Sequence, residues 1–483
     1  MVFMKKGLMT LVLMATCFGN AAAQNDETYQ QFRQQMLSDY SDYRGQILQD
    51  YAKFLDTVWK NFDTFSAKSL YPHSKPKTAP KAPVVDDTPV AYIPQPGKPT
   101  PQPEPSAPIQ IKPEVPNPLQ ESIIFRFYTV NAQAPKVTVK RLGSTKGNDV
   151  SRLWKDYQNA DLADKVLPSL NQLRIAYHLN DWLTYVLVRN YSDAVYPDDI
   201  NSSMVLSQYL LVNMGMNLRI ACVGGSRMAH LIPIKQTVYG HPFLNIDGIR
   251  YYVFLGGAGR ENIGKIGSIS TCELPQNTNL GKAFSLVLDD PQIPSQEEDA
   301  FTRTDGHITI TGSVPSAAIA IARDYVETDV PVYASSCLSP AFRKNILQQV
   351  APQLAGLSES EAVNKLLNFI QVAFKYETDG EQFGYEKPYF VEENFYYPAN
   401  DCEDRAVLLA FLVRNLLHLD VHLLYYPNHE ATAIRFSDQS IKGDGYIYQD
   451  NSKYLICDPT YIGAKAGQCM PQYEGVKPSV ELW

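Results

Sequence analysis

From Pro72 to Pro118 the chain reads PHSKPKTAPKAPVVDDTPVAYIPQPGKPTPQPEPSAPIQIKPEVPNP, with a proline every few residues. Each proline fixes φ and removes a backbone donor, so such a stretch builds neither a helix, a sheet interior nor a packed core. The chain must therefore fold on either side of it. We expect residues 71–118 to form an extended polyproline-II tether, with a reach of about 3.1 Å per residue. A spacer in the cell envelope is the simplest use of it, and docking to a proline-recognition module is the alternative.

The N-terminus, MVFMKKGLMTLVLMATCFGNAAAQ, places Lys5 and Lys6 before an apolar run from Leu8 to Phe18 and then offers Ala21, Ala22 and Ala23. That layout predicts a secretory signal peptide over residues 1–23 and an exported mature protein, in the periplasm, at the cell surface or outside the cell. Lipidation at Cys17 is an alternative, although the small residues of the cleavage site lie further on. No stretch approaches the length of a membrane span, so no transmembrane segment is expected. A net charge of −8 without a basic cluster argues against nucleic acid as a partner. Beyond the leader stand Cys222, Cys272, Cys337, Cys402, Cys457 and Cys469, none in a C-x-x-C pair, so neither a zinc site nor a thioredoxin-like centre is suggested. One or two disulfides among the six remain open.

Between leader and tether, apolar residues fall at Tyr29, Phe32, Met36, Tyr40, Tyr43, Ile47, Tyr51, Phe54, Val58 and Phe62, in steps of three and four. This predicts one long amphipathic helix within 25–70, its stripe docked on the protein's own body or on a sister helix, which makes helix-mediated self-association a candidate. Its polar face carries acidic residues, unlike the basic face that anionic membranes attract.

The body divides into residues 119–338 and 339–483. In the second part a helix at SESEAVNKLLNFIQVAFKYE is followed by an aromatic loop, then by Cys402 at the mouth of RAVLLAFLVRNLL. Short strands VHLLYY, HEATAIRF, GYIYQD and KYLICDPTY come next. A cysteine in the first turn of a helix meets unpaired amides and the positive end of the dipole, which favour the thiolate and lower its pKa. His429 opens one strand and Asp458 ends a later one, so neighbouring strands can bring an imidazole to the sulfur and a carboxylate behind the imidazole.

The residues DCEDRAVLLAFLVRNLLHLDV, PNHEATAIRF and YLICDPTY resemble the transglutaminase-like superfamily over roughly the last quarter of the chain. The resemblance implies a papain-like α+β fold, with Cys402 as nucleophile, His429 as base and Asp458 as the acid that orients it. Two departures stand out: Asp401 occupies a position where the family commonly has glycine, and Glu430 and Ala431 follow the histidine where cross-linking members often carry an aromatic residue. The fold and triad carry over better than the cross-linking. Glu403 and Asp404 are read as complements to the helix dipole. His418 and His422 are read as solvated or packed rather than metal-binding, and Cys457 as a core thiol. Asn394, Tyr396 and Tyr397 are candidates for lining the cleft or holding an oxyanion, with aromatic packing as the alternative.

The middle of the chain repeats the order helix, loop, helix, strand, histidine, strand. Matching the two copies puts Asp199 or Ile200 at the place of Cys402, His230 at that of His429 and Leu255 at that of Asp458. Without thiol or carboxylate the copy is not expected to catalyse, so residues 119–338 are read as a degenerate transglutaminase-like domain with a β-rich extension, and 339–483 as the catalytic one.

Together these readings predict an exported cysteine enzyme that attacks an amide or peptide bond of a protein or peptide substrate through an acyl-thioenzyme. Hydrolysis is favoured over transfer to an amine, and no metal or organic cofactor is implied. The alternative is a non-catalytic binding or scaffold protein of the cell envelope.

Overall fold

The computed structural model describes residues 48–66, 75–83, 121–256, 266–273, 281–295 and 298–481. The leader, residues 25–47 and 67–70 of the expected helix, and residues 71–74 and 84–118 of the expected tether lie outside the described residues. The chain forms two compact units, divided after Leu55. Of the first unit, residues 48–55 are helical. The expected helix does not continue to Phe62: residues Lys60–Phe62 form strand β1 and Phe65–Ser66 strand β2, and Val58 is 89% exposed. The three-and-four spacing fits a helix, but here the backbone finds a sheet edge on each side, and tertiary pairing overrides the local pattern. Phe65 stacks on Phe243 with ring centroids 5.8 Å apart.

After β1 and β2, the second unit continues with a hairpin, β3 (Ser122–Phe127) and β4 (Val130–Pro135). Helices α1 (Gly147–Asn159), α2 (Leu162–Ala176), α3 (Asp181–Val195) and α4 (Ile200–Asn213) follow. The sequence reads as a single helix through α2 and α3, but His178 takes a positive φ of 50° and Asn180 caps α3 by accepting from the Leu183 amide at 2.9 Å. Then come β5 (Arg219–Val223), β6 (Arg227–Pro233), β7 (Pro242–Ile246), β8 (Ile249–Phe254) and β9 (Ile269–Thr271). Strands β10 (Glu298–Thr304) and β11 (Thr309–Pro315) make a hairpin, succeeded by α5 (Ser316–Asp324), α6 (Val330–Ser335), α7 (Pro340–Leu354) and α8 (Glu359–Ala373). VPVYAS, which reads as a strand, is α6, because Pro331 sits in its first turn, where a missing amide costs nothing. The last part holds β12 (Lys375–Tyr376), α9 (Asp379–Gln382), α10 (Val391–Tyr396), β13 (Ala399–Asn400) and α11 (Cys402–Leu416). It closes with β14 (Asp420–Tyr426), β15 (His429–Arg435), β16 (Tyr446–Gln449), β17 (Ser452–Cys457) and β18 (Ser479–Glu481).

The architecture is α+β with two curled antiparallel sheets. The middle sheet has the order β1-β9-β5-β6-β8-β7-β2 and the C-terminal sheet β18-β14-β15-β17-β16. Set β5 on β14, and β6, β8, β7 and β9 fall on β15, β17, β16 and β18, all antiparallel neighbours in both sheets. Each sheet is preceded by a helix whose cap is an aspartate, Asp199 before Ile200 and Asp401 before Cys402.

Register corrects one expected correspondence. Phe254 pairs with His230 at the end of β8, as Cys457 pairs with Thr432 at the end of β17. His230 therefore occupies the place of Thr432, and the residue at the place of His429 is Arg227, three positions earlier. Leu255 does fall where Asp458 stands, and Arg227 Nη2 donates to the Leu255 carbonyl at 2.7 Å. A cation-to-backbone bond thus joins the two strands where the other sheet has an imidazole and a carboxylate.

His230 is a core residue, fully buried, with its ring nitrogens at 3.1 Å from the Tyr185 hydroxyl and 2.8 Å from the Met204 carbonyl. Burial, seconded by the Arg189 charge, drops its pKa to about 3. The folded protein thus refuses a proton that the unfolded chain accepts below about pH 6.5. As pH falls from there toward 3, this group removes about 1.4 kcal/mol of stability per unit. Urea unfolding at pH 7, 5 and 4 checks this, with the His230→Gln variant expected to lose that part of the slope.

Candidate active site

Cys402 is the first residue of α11, and the helix start is built by acids on both sides of it. The Asp401 amide donates to Asp404 Oδ2 at 3.1 Å, and Asp404 Oδ1 accepts from the Tyr389 amide at 2.9 Å, so Asp404 does tie down orphan donors near the helix start. Glu403 does something else. Its Oε2 accepts from the Cys402 thiol at 3.2 Å, while its Oε1 takes the ammonium of Lys75.

Lys75 comes from the proline-dense segment expected to be a tether. Its side chain is 1% exposed and its Nζ lies 2.9 Å from Asp401 Oδ2, 2.8 Å from Glu386 Oε2 and 3.9 Å from Asp379 Oδ2, besides the bond to Glu403. The segment continues alongside the domain, where Ile462 donates to the Pro80 carbonyl at 2.9 Å and Ala82 donates to the Ile462 carbonyl at 2.7 Å. Residues 75–83 are therefore a strap on the C-terminal domain. Burial opposes the Lys75 charge, but Asp401 and Glu403 outweigh it and hold its pKa well above the ordinary lysine value. Burial, then the charge of Asp401, pushes the carboxyls of Asp379, Glu403 and Asp404 well above their usual range. The Lys75 ammonium and the buried Arg405 guanidinium do not offset the desolvation of these carboxyls, which favours their protonated forms.

The same field acts on the sulfur. Cys402 is 0% exposed, and burial, followed by the charges of Glu403 and Asp401, raises its pKa well above that of a free thiol. This reverses the expectation from the helix dipole, whose partial charge is outweighed by desolvation and two nearby carboxylates. Lys75 and the amide of Glu430 pull the other way.

His429 and Asp458 meet as expected. His429 Nε2 lies 2.8 Å from Asp458 Oδ2, and Asp458 Oδ1 accepts from the amides of Thr460 at 2.9 Å and Tyr461 at 3.2 Å. With Nε2 given to the carboxylate, Nδ1 is the ring atom left to take a proton. Tyr473 stacks on the imidazole, with centroids 5.2 Å apart and planes 7° from parallel. Cys402 approaches this pair through the Glu430 amide, one residue along β15 from His429. The described hydrogen bonds do not join sulfur to imidazole: in this resting arrangement the thiol is engaged by Glu403.

The secondary candidates have structural roles. Asn394 Oδ1 accepts from Asn400 Nδ2 at 2.8 Å, and Asn400 Oδ1 accepts from Arg405 Nε at 2.9 Å, a buried chain behind the helix start. The Tyr396 hydroxyl accepts from Arg323 at 2.9 Å, and Tyr397 packs on Phe383 and Tyr389. His418 holds a positive φ of 55° at a turn, and His422 stacks on Tyr454. Cys457 is a buried thiol pushed upward by burial, and none of the six described cysteines is in a disulfide.

Two acidic triplets, Asp379 with Glu386 and Glu403, and Asp379 with Asp401 and Asp404, hold ligand atoms within 4.8 Å of one another, a spacing compatible with a cation. The cation at the first of them is the Lys75 ammonium. Lys75 and its pairing with Glu403 escaped the sequence reading, which gave Glu403 only a role toward the helix dipole, since neither a proline-rich context nor a helix-start glutamate signals an ion pair across 328 positions. Comparison with protein-family models, with curated proteins and with solved structures found no match. Among the described residues no helix is long and apolar enough to cross a membrane.

Replacing Lys75 by Met is expected to cost about 3–5 kcal/mol, the usual loss when one partner of a buried ion cluster is removed. Acids with raised folded pKa values bind protons more tightly in the folded state, so their contribution is most favourable at low pH and falls as pH rises from the unfolded value to the folded one. The drop in Tm should therefore be larger at pH 8 than at pH 5, as read by scanning calorimetry.

Proposed function

We propose that the chain is an exported, transglutaminase-like cysteine enzyme acting on amide or peptide bonds, with hydrolysis favoured over amine transfer. The observation that carries this reading is the 2.8 Å bond between His429 and Asp458, buried and oriented by turn amides, beside a cysteine at a helix start. An aspartate fixed by two backbone donors and aimed at one imidazole nitrogen selects the tautomer that presents the other nitrogen as a base.

In the proposed reaction the thiol leaves Glu403 and passes its proton to His429 Nδ1. The sulfur then attacks the substrate carbonyl carbon. The oxyanion is met by backbone amides at the helix start, donors that need no reorganisation. Collapse breaks the C–N bond, and the imidazolium returns its proton to the departing amine, leaving an acyl-thioenzyme. Water, deprotonated by His429, attacks the thioester and releases the acid and the free thiol. Asp458 stabilises the imidazolium in both halves without taking its proton.

The second reading, a binding or scaffold protein, draws on the buried, protonated thiol of the resting form. Acylation of Cys402 by a p-nitrophenyl ester, followed by mass spectrometry, separates the two. Catalysis predicts labelling confined to Cys402, slowed about 10²–10⁴-fold in His429→Ala and measurably in Asp458→Ala, with circular dichroism unchanged. Equal labelling of Cys402 with and without His429 would leave only the scaffold.

A further inference from the structure

The strap covers two landmarks of the site. Its first described residue puts a primary ammonium among Asp379, Glu386, Asp401 and Glu403, next to the thiol. Its end, Ala82 and Pro83, lines a cavity of about 860 Å³ whose wall includes Tyr426, Tyr461 and Tyr473. Tyr473 is the ring stacked on His429, so the strap runs from the sulfur side of the reactive centre to the imidazole side. Between these ends it pairs with Ile462 as an extended backbone, the way a peptide is held by strand addition.

The pocket around the ammonium is built for a cation and is not saturated by the one it holds. Asp401 Oδ1 and Asp379 Oδ1 are buried and without a hydrogen-bond partner. Glu403 couples the pocket to the chemistry, with one oxygen on the ammonium and the other on the thiol. An empty pocket would disfavour the thiolate further, because Lys75 is the only side chain among the principal influences on Cys402 that stabilises negative charge on sulfur. Whatever displaces the strap must bring a positive charge with it for the thiol to ionise.

Resting on the cysteine-enzyme reading above, we propose that residues 75–83 occupy the substrate cleft as an intramolecular surrogate, and that the four-carboxylate pocket is a subsite for a primary ammonium carried by an extended peptide substrate. The strap holds the enzyme closed, and a lysine-like side chain or a free amino terminus on the substrate takes the place of the Lys75 ammonium.

The test uses occupancy rather than turnover, so that it stands apart from catalysis. In the full-length Cys402→Ala protein, a blocked Gly-Lys-Gly peptide should accelerate hydrogen exchange of the Ala82 amide at least 10-fold by displacing the strap. The norleucine counterpart, which keeps the four side-chain carbons and lacks only the ammonium, should leave it unchanged. In Lys75→Ala, propylamine, which replaces the deleted atoms, should bind saturably by calorimetry and raise Tm. Propan-1-ol should bind at least 10-fold more weakly, and Glu403→Gln should weaken propylamine by a similar factor. Equal effects of the lysine and norleucine peptides, or of amine and alcohol, would overturn the subsite. Amine-selective binding with an inert Cys402 would uphold it while removing the enzyme reading. Should Lys75→Ala fail to fold, the exchange measurement on the strap decides the matter alone.

Discussion

One ammonium set among buried carboxylates organises the surroundings of the C-terminal sheet. Lys75 brings the only full charge that the strap buries there, and without it Asp379, Asp401 and Glu403 would face one another in a medium that screens poorly. The same contact reaches the sulfur through Glu403, so that a segment hundreds of residues away bears on the charge beside the nucleophile candidate. Buried ion clusters are a weak source of net stability but a strong source of specificity, since only one arrangement satisfies the charges. Here that specificity fixes where the strap lies.

Two sheets that share the order of five strands, those strands following an aspartate-capped helix in each case, differ at their ends. In the C-terminal sheet the ends of β15 and β17 present His429 and Asp458 to each other. At the matching ends of β6 and β8, Arg227 ties itself to the Leu255 carbonyl, and the histidine of that strand lies three residues deeper, packed and uncharged. The same strand geometry thus supports an imidazole–carboxylate pair in one sheet and a backbone clasp in the other. They differ in the side chains at these strand ends and at the first position of the preceding helix, Ile200 in one and Cys402 in the other.

Much of this was legible in the residues. HEATAIRF and YLICDPTY read as short strands, a two-residue Pro427-Asn428 connection makes the hairpin, and Asp458 before Pro459 ends a strand. The helix at Cys402 follows from its acidic start and apolar run. What stayed hidden depended on long-range contact. Periodicity through Val58 and Phe62 cannot report that a sheet edge waits to pair with Lys60–Phe62. A helix-start cysteine suggests a lowered pKa until burial and the partners of its neighbours are known, and here they reverse the sign. Matching histidines by order alone misplaced the correspondence by three residues, which only register could reveal.

The distance along the chain between Lys75 and its partners carries a consequence for how the protein comes into being. Asp401 lies 326 positions after Lys75, and Asp458 later still. A chain synthesised from its amino end cannot assemble the pocket, the relay or the strap contact until nearly all of it has emerged, and contacts so remote form late in folding. A chain not yet made past Asp458 lacks the carboxylate that holds His429. The strap, waiting from the start, is in place to close over the thiol as soon as the last strands settle.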